Sequence, residues 1–208
     1  MKMGFGKYLA VILLLLALPG WSQQKIYTKG MKLKDFPTKT TKVVLNGYEE
    51  MNETIRTEVA ARWSISPFEF CRAEDYEELK TDNAYYFLHL TGDGDIVFLT
   101  LSKGGEKDDA DPLRQPFDVV SLPVTSEREK PGEELPYIAA SVDILQDFVE
   151  QAMVREGLLY TGLSGWRKHP PKGASVVTRK IRPASGKAYR LRFDADTHAL
   201  YSFDRSAR

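Results

Sequence analysis

AYYFLHLT at residues 84–91 and IVFLTLS at residues 96–102, joined by Gly92-Asp93-Gly94-Asp95, decide how this chain folds. Both runs are rich in aromatic and aliphatic residues, and the connector supplies positive-φ positions and side-chain turn bonds, so a β-hairpin is predicted. Apolar residues run almost without interruption through both segments. A strand of that kind belongs at the centre of a sheet covered on both faces. The flanking sequence must therefore provide material for two layers.

Upstream, TTKVVL at residues 40–45 is β-branched and predicts a first strand, broken by Asn46 and Gly47. Tyr48, Met51, Ile55, Val59 and Trp63 then recur at spacings of 3, 4, 4 and 4, which places them on one face of a helix. Glu49, Glu50 and Glu53 suit the positive end of its dipole. Residues 64–71, with Ile65, Phe68 and Phe70, predict a second strand interrupted early by Pro67, and residues 73–81 a short acidic helix. Downstream, residues 103–116 form a polar loop, 117–124 a further strand and 125–134 a charged turn. A long helix then opens near Pro136. Its stripe is Ile138, Val142, Leu145, Phe148, Val149, Ala152 and Met153, with Gly157 as the expected stop and Leu158 packing back. Loop residues 162–173 precede three strands at 175–181, 188–193 and 199–203. This order implies an α+β (mixed α/β) protein: a mixed sheet with two main amphipathic helices and one short helix packed on it, plus C-terminal strands. Residues 23–39 are expected to be an extended lead-in and 40–157 the core domain. Residues 158–208 are expected as a β segment packed on the same domain.

KVVLNGYEEMNETIRTEVAARWSISPFEF and DYEELKTDNAYYFLHL carry a resemblance across residues 42–90. Strand, amphipathic helix ending in Trp63, Phe-Glu-Phe strand and tyrosine-rich strand follow in that order. The stretch resembles uncharacterised exported proteins of Gram-negative bacteria, and is similar to the N-terminal α/β domain of periplasmic translocation and curli-secretion proteins. It covers about a quarter of the chain and includes no catalytic motif; in those proteins the domain serves assembly, and what the resemblance implies for this chain is the fold.

The first residues fit the same compartment. Lys2 and Lys7 precede eleven apolar residues (8–18), and Gly20-Trp21-Ser22 offers the small-x-small pattern of a cleavage site. The run falls short of the roughly 20 residues that cross a bilayer. Residues 1–22 therefore predict a signal peptide cut after Ser22, with a periplasmic or secreted product. No lipobox cysteine follows that point, so a soluble protein is expected, neither lipid-anchored nor transmembrane. Cys71 is the only cysteine, which rules out an internal disulfide. Its place after Phe68 and Phe70 predicts a buried structural thiol.

Charge is uneven. Residues 157–193 hold nine Lys/Arg and no acid, whereas residues 23–156 hold sixteen basic and twenty-six acidic residues, a net of −10. Such a split suits either a binding surface or attraction between two parts of one fold. Acidic groups at Asp93/Asp95, at Asp108, Asp109 and Asp111, and at Asp194/Asp196 with His198 suggest cation loops at first sight. The last fails at its sixth position, Ala199, and its twelfth, Arg205, so turn chemistry is the expectation. His89, His169 and His198 share no metal-ligand spacing. A Cys71–His89 pair assisted by Glu69, or by Asp93 and Asp95, is the one conceivable catalytic constellation for a hydrolase or transferase. The sequence by itself assigns no catalytic, cofactor or metal residue.

The basic segment is the feature to pursue. In Tyr189-Arg190-Leu191-Arg192-Phe193, period-2 alternation puts both arginines on one face and the apolar residues on the other. Arg190, Arg192, Lys180 and Arg182 are thus candidate ligands for an anionic group. The partners implied are another envelope protein, an anionic glycan or a lipid headgroup, rather than nucleic acid. The alternative is a solvated face whose arginines offset the acidic N-terminal region.

Overall fold

The computed structural model describes residues 33–105 and 116–206. The apolar leader, most of the lead-in and the acidic triplet Asp108, Asp109 and Asp111 lie outside the described residues. The described residues all belong to one compact unit. Five strands, β1 (Thr40–Leu45), β2 (Phe68–Arg72), β3 (Tyr85–Asp93), β4 (Ile96–Lys103) and β5 (Phe117–Ser126), make a mixed sheet in the order β2-β1-β3-β4-β5. β1 runs parallel to both β2 and β3, while β4 and β5 are antiparallel additions. The parallel pairs need helical crossovers, supplied by α1 (Glu49–Arg62) and the short α2 (Ala73–Leu79). α3 (Ile138–Val154) and the single turn α4 (Leu158–Thr161) follow. A second, antiparallel sheet, β6-β7-β8, is built from Val176–Ile181, Ala188–Asp194 and Leu200–Ser206. The α+β architecture with an additional C-terminal sheet is the one expected from the pattern of elements.

The β3–β4 hairpin is tighter than its composition suggests. Gly92 and Asp93 still pair with Val97 and Ile96, so only Gly94 and Asp95 turn the chain, with Gly94 at φ 61°. A two-residue hairpin needs this positive φ to match the strand twist. Register then divides the sheet into two faces. Val43, Tyr86, Leu88, Leu99, Leu101, Val120 and Leu122 share the first and are all buried. α1 and α3 belong to this side: Arg56 of α1 lies over the Phe70 ring, α1 packs on α3, and α3 reaches β5. Each such side chain withdrawn from water contributes roughly 1.5–3 kcal/mol.

Local chemistry sets the helix boundaries. Tyr48 gives α1 no side-chain cap; instead the Asn52 amide bonds both the N–H and the C=O of Gly47, at 2.9 and 2.8 Å. α1 ends where Trp63 turns extended, with its indole N–H donating to Ser66 Oγ at 3.0 Å. Ser66 Oγ also meets Thr41 Oγ1 at 2.8 Å, and the Pro67 carbonyl accepts the Thr41 N–H. Residues 64–67 are thereby a buttress for β1, so β2 begins at Phe68 and not at Ser64. At the end of α3 a second correction applies. The helix stops at Arg155, and Gly157 has an ordinary φ of −59° and opens α4; positive φ comes later, at Gly162.

The C-terminal sheet docks through α3. Phe148 sits 6.3 Å from the Trp166 ring, whose N–H donates to the Leu200 carbonyl at 2.7 Å. Asp143 of α3 receives Arg62 of α1 at 2.8 Å and the His198 ring at 2.7 Å, and Arg62 also bonds Glu58. One carboxylate thus ties both helices to the β7–β8 turn. Phe148 is fully buried where α3 meets that sheet. Phe148→Ala is expected to cost about 3–5 kcal/mol, and Phe148→Leu clearly less. Urea unfolding should show one transition; two transitions would mean that the sheets unfold separately.

Candidate functional site

The second face of the main sheet gathers most of the residues with possible chemistry. Lys42, Glu69, Cys71, Tyr85, Phe87 and His89 fall on it by register, joined by Thr91, Thr100, Ser102 and Ser121. α2 lies on this side, with Tyr76 5.0 Å from the Phe87 ring and 4.8 Å from His89. Cys71 and His89 do share a face, yet they do not meet. Cys71 pairs with Val44 of β1, and β3 lies beyond β1, so two strand spacings of roughly 4.8 Å each separate them. Glu69 turns to Lys42 at 2.5 Å. Cys71 is half-buried on edge strand β2, more exposed than its apolar neighbours suggest. Burial, and then Asp75, push its thiol pKa up, which favours the neutral thiol over the thiolate.

His89 instead pairs with Ser102, Nε2 to Oγ at 3.1 Å. A serine and an imidazole at that distance invite a nucleophile–base reading, but both are buried, and burial lowers the imidazole pKa to about 4. A base that weak extracts little from a hydroxyl at neutral pH. The neighbouring hydroxyls of Thr91, Thr100 and Ser121 satisfy one another at 2.7 and 3.0 Å. These bonds satisfy the hydroxyls of a partly buried polar sheet face.

Two of the acidic turns, at Asp95 and Asp194, are engaged in structural hydrogen bonds. The Asp95 side chain accepts the backbone N–H of Ala184, in the β6–β7 turn, and its carbonyl accepts Glu127 N–H at 3.0 Å. Asp194 Oδ1 accepts the N–H groups of Asp196 and Thr197 and the Thr197 hydroxyl, while Oδ2 accepts Tyr201. Those bonds, led by Thr197, hold its carboxyl at about 2, and the turn needs no cation. Among the described residues, no group of three or more His, Cys, Asp or Glu is placed to hold a metal ion.

The four basic candidates come together on the second sheet. Lys180 stands directly opposite Arg190, and Thr178 opposite Arg192, so all face away from the buried side that carries Ile181, Tyr189, Leu191 and Phe193. Arg182 continues the β6 row just past the strand end. Two residues apart along a strand is about 6.8 Å, and neighbouring strands are about 4.8 Å apart, so the cations form a grid. Among the described residues none of the four makes an ion pair, whereas Arg179, on the inner face, is bound by Glu129 and lies over Tyr137 at 4.7 Å. Asp204, opposite Arg190 on β8, pairs with Arg167 at 3.4 Å.

One residue escaped the sequence reading. Arg128, beyond β5, joins Lys180 and Arg182 around a recess and donates through Nη2 to the Ala184 carbonyl at 3.0 Å. In the sequence it is hidden within Glu127-Arg128-Glu129-Lys130, where alternating charge looks like a solvated turn. Only the fold sends Glu129 inward to Arg179 and leaves Arg128 on the outside.

His89 generates a pH prediction. Its folded pKa lies below the unfolded value, so above about pH 6.5 both states are neutral and the group is silent. As pH falls towards 4 the unfolded chain binds the proton first, and about 3 kcal/mol of stability is lost. Unfolding free energies of the protein and of His89→Gln, compared from pH 7.5 to pH 4, should show a shallower decline in the variant. Parallel curves would remove His89 as the cause.

No family model matches this sequence, and no curated protein or solved structure is detectably similar to it.

Proposed function

We propose that this chain is an exported, non-catalytic binding or assembly domain of the bacterial cell envelope, which engages an anionic partner through the outer face of its C-terminal sheet. The observation that carries the reading is the grid of Lys180, Arg182, Arg190 and Arg192, four cations with no ion-pair partner among the described residues. Fold stability does not require such an arrangement: like charges facing one another across strands repel, and solvated ion pairs contribute little. A ligand bearing negative charge relieves that repulsion. The cationic leader with its short apolar run supports the envelope as the compartment. Separation of Cys71 from His89 and burial of the His89–Ser102 pair weigh against the hydrolase or transferase alternative.

No helix among the described residues is long and apolar enough to cross a membrane. Reversing Arg190→Glu and Arg192→Glu together is expected to weaken binding to anionic polysaccharide or anionic vesicles by roughly tenfold or more, and to flatten its dependence on salt. Binding that survives with its salt dependence unchanged would refute the assignment to this face. Export has its own check. Expressed with its leader in a Gram-negative host, the protein should appear in the periplasm or medium with Gln23 at its N-terminus by mass spectrometry. Recovery from the cytosol with Met1 attached would contradict it.

A further inference from the structure

At the tip of the β6–β7 hairpin, Arg128, Lys180 and Arg182 converge on an open recess of ≈ 260 Å³ backed by Pro183 and Ala188. We propose that this recess is a binding site for a phosphomonoester group, such as the terminal phosphate of a lipid or of a soluble metabolite. The inference rests on the anionic-ligand reading of the same sheet face and gives that ligand a chemical class.

Three features lead to a phosphomonoester. Among the described residues every charged side chain lining the recess is a cation, and the other two, proline and alanine, bring no side-chain acceptor. Two carboxylates from adjoining segments are engaged elsewhere, Asp95 with the Ala184 N–H and Glu129 with Arg179. Charge is the second feature. A phosphomonoester carries about −1.5 to −2 at neutral pH and presents three terminal oxygens, which suits three converging donors better than a carboxylate or a diester, each of charge −1. The third is size. Drug-sized ligands occupy about 300–1,000 Å³, so this smaller, open space fits a compact headgroup whose remainder lies outside, along Arg190 and Arg192.

The recess is also held in shape. Ser126 Oγ donates to the Arg182 carbonyl at 2.9 Å, and the Arg128 Nη2 bond to Ala184 fixes the guanidinium against the turn. That bond uses one nitrogen, and a guanidinium carries five N–H donors in a rigid fork. Arg128 can therefore clamp the turn and a phosphate oxygen together.

The test compares phosphatidylcholine vesicles carrying phosphatidic acid, a monoester, with vesicles carrying phosphatidylglycerol, a diester, at matched surface charge. Glycerol 3-phosphate serves as the soluble probe, followed by ³¹P NMR. The protein should prefer phosphatidic acid by about tenfold, and Arg128→Gln should erase that preference, as loss of one charge-assisted hydrogen bond implies. Lys180→Gln should do the same, and since Lys180 makes no bond to the turn its effect separates ligand contact from loss of the hairpin's anchor. Lys172→Gln, an equal charge change at an exposed position, is the control. Competition by glycerol 3-phosphate would identify the phosphate itself as sufficient; binding to vesicles alone would assign a lipid source. Equal affinity for the two lipids, insensitive to Arg128 but lowered by the Arg190/Arg192 reversal, would overturn the recess and leave the basic face standing. Binding to no anionic probe would overturn both.

Discussion

β3 has to be buried on both faces, and most of the architecture follows from that constraint. Tyr86, Phe87, Leu88 and His89 are consecutive and all buried, so neither side of the strand can meet water. Parallel pairing to β1 and antiparallel pairing to β4 satisfies its backbone. The α1–α3 side takes Tyr86 and Leu88, while α2 comes to Phe87 and His89. The second sheet extends the cover along this face, where Tyr189 meets Phe98 of β4 edge-on at 5.7 Å. A chain that left one side of β3 open would expose aromatic surface of the kind that drives association.

Polar groups on the α2 side show how that burial is tolerated. Thr91, Thr100 and Ser121 satisfy one another in place, as do Ser102 and His89, and burial lowers the His89 pKa to about 4. Residues that look like catalytic candidates in isolation are thereby accounted for by packing. The cations of the second sheet are the opposite case. They face outward and lack carboxylate partners among the described residues, and Lys180 and Arg182 line a recess, the arrangement on which the proposed anionic-ligand role rests.

The acidic and basic portions of the chain do attract one another, but selectively. Arg179 on the inner face meets Glu129, and Arg128 reaches the turn that Asp95 also holds, so a few contacts join the C-terminal sheet to the β3–β5 end of the main sheet. The outer row of β6 and β7 takes no part in this neutralisation. The attraction between the two parts is seen on the inner face of this sheet, and the proposed binding role concerns its outer face. Alternation along the strands is what lets one segment carry both.

Periodicity and turn chemistry were legible in the chain itself. The hairpin at Gly94-Asp95, the helix of Met51, Ile55 and Val59, the stripe from Ile138 to Ala152 and the shared face of Lys180, Arg190 and Arg192 all follow from local spacing. Such features depend on neighbours within a few residues, which is the range that backbone geometry imposes. What the spacing could not contain was which distant segments meet. The parallel placement of β1 between β2 and β3 separated Cys71 from His89, and Pro67 became a buttress for Thr41 instead of an interruption in a strand. Helix α3 ended before Gly157 without using it as a stop. Arg128 reached the hairpin turn across 56 residues of sequence, a contact set by the docking of two sheets. Local chemistry therefore chose the elements, and long-range burial chose the neighbours that turn a row of cations into a recess.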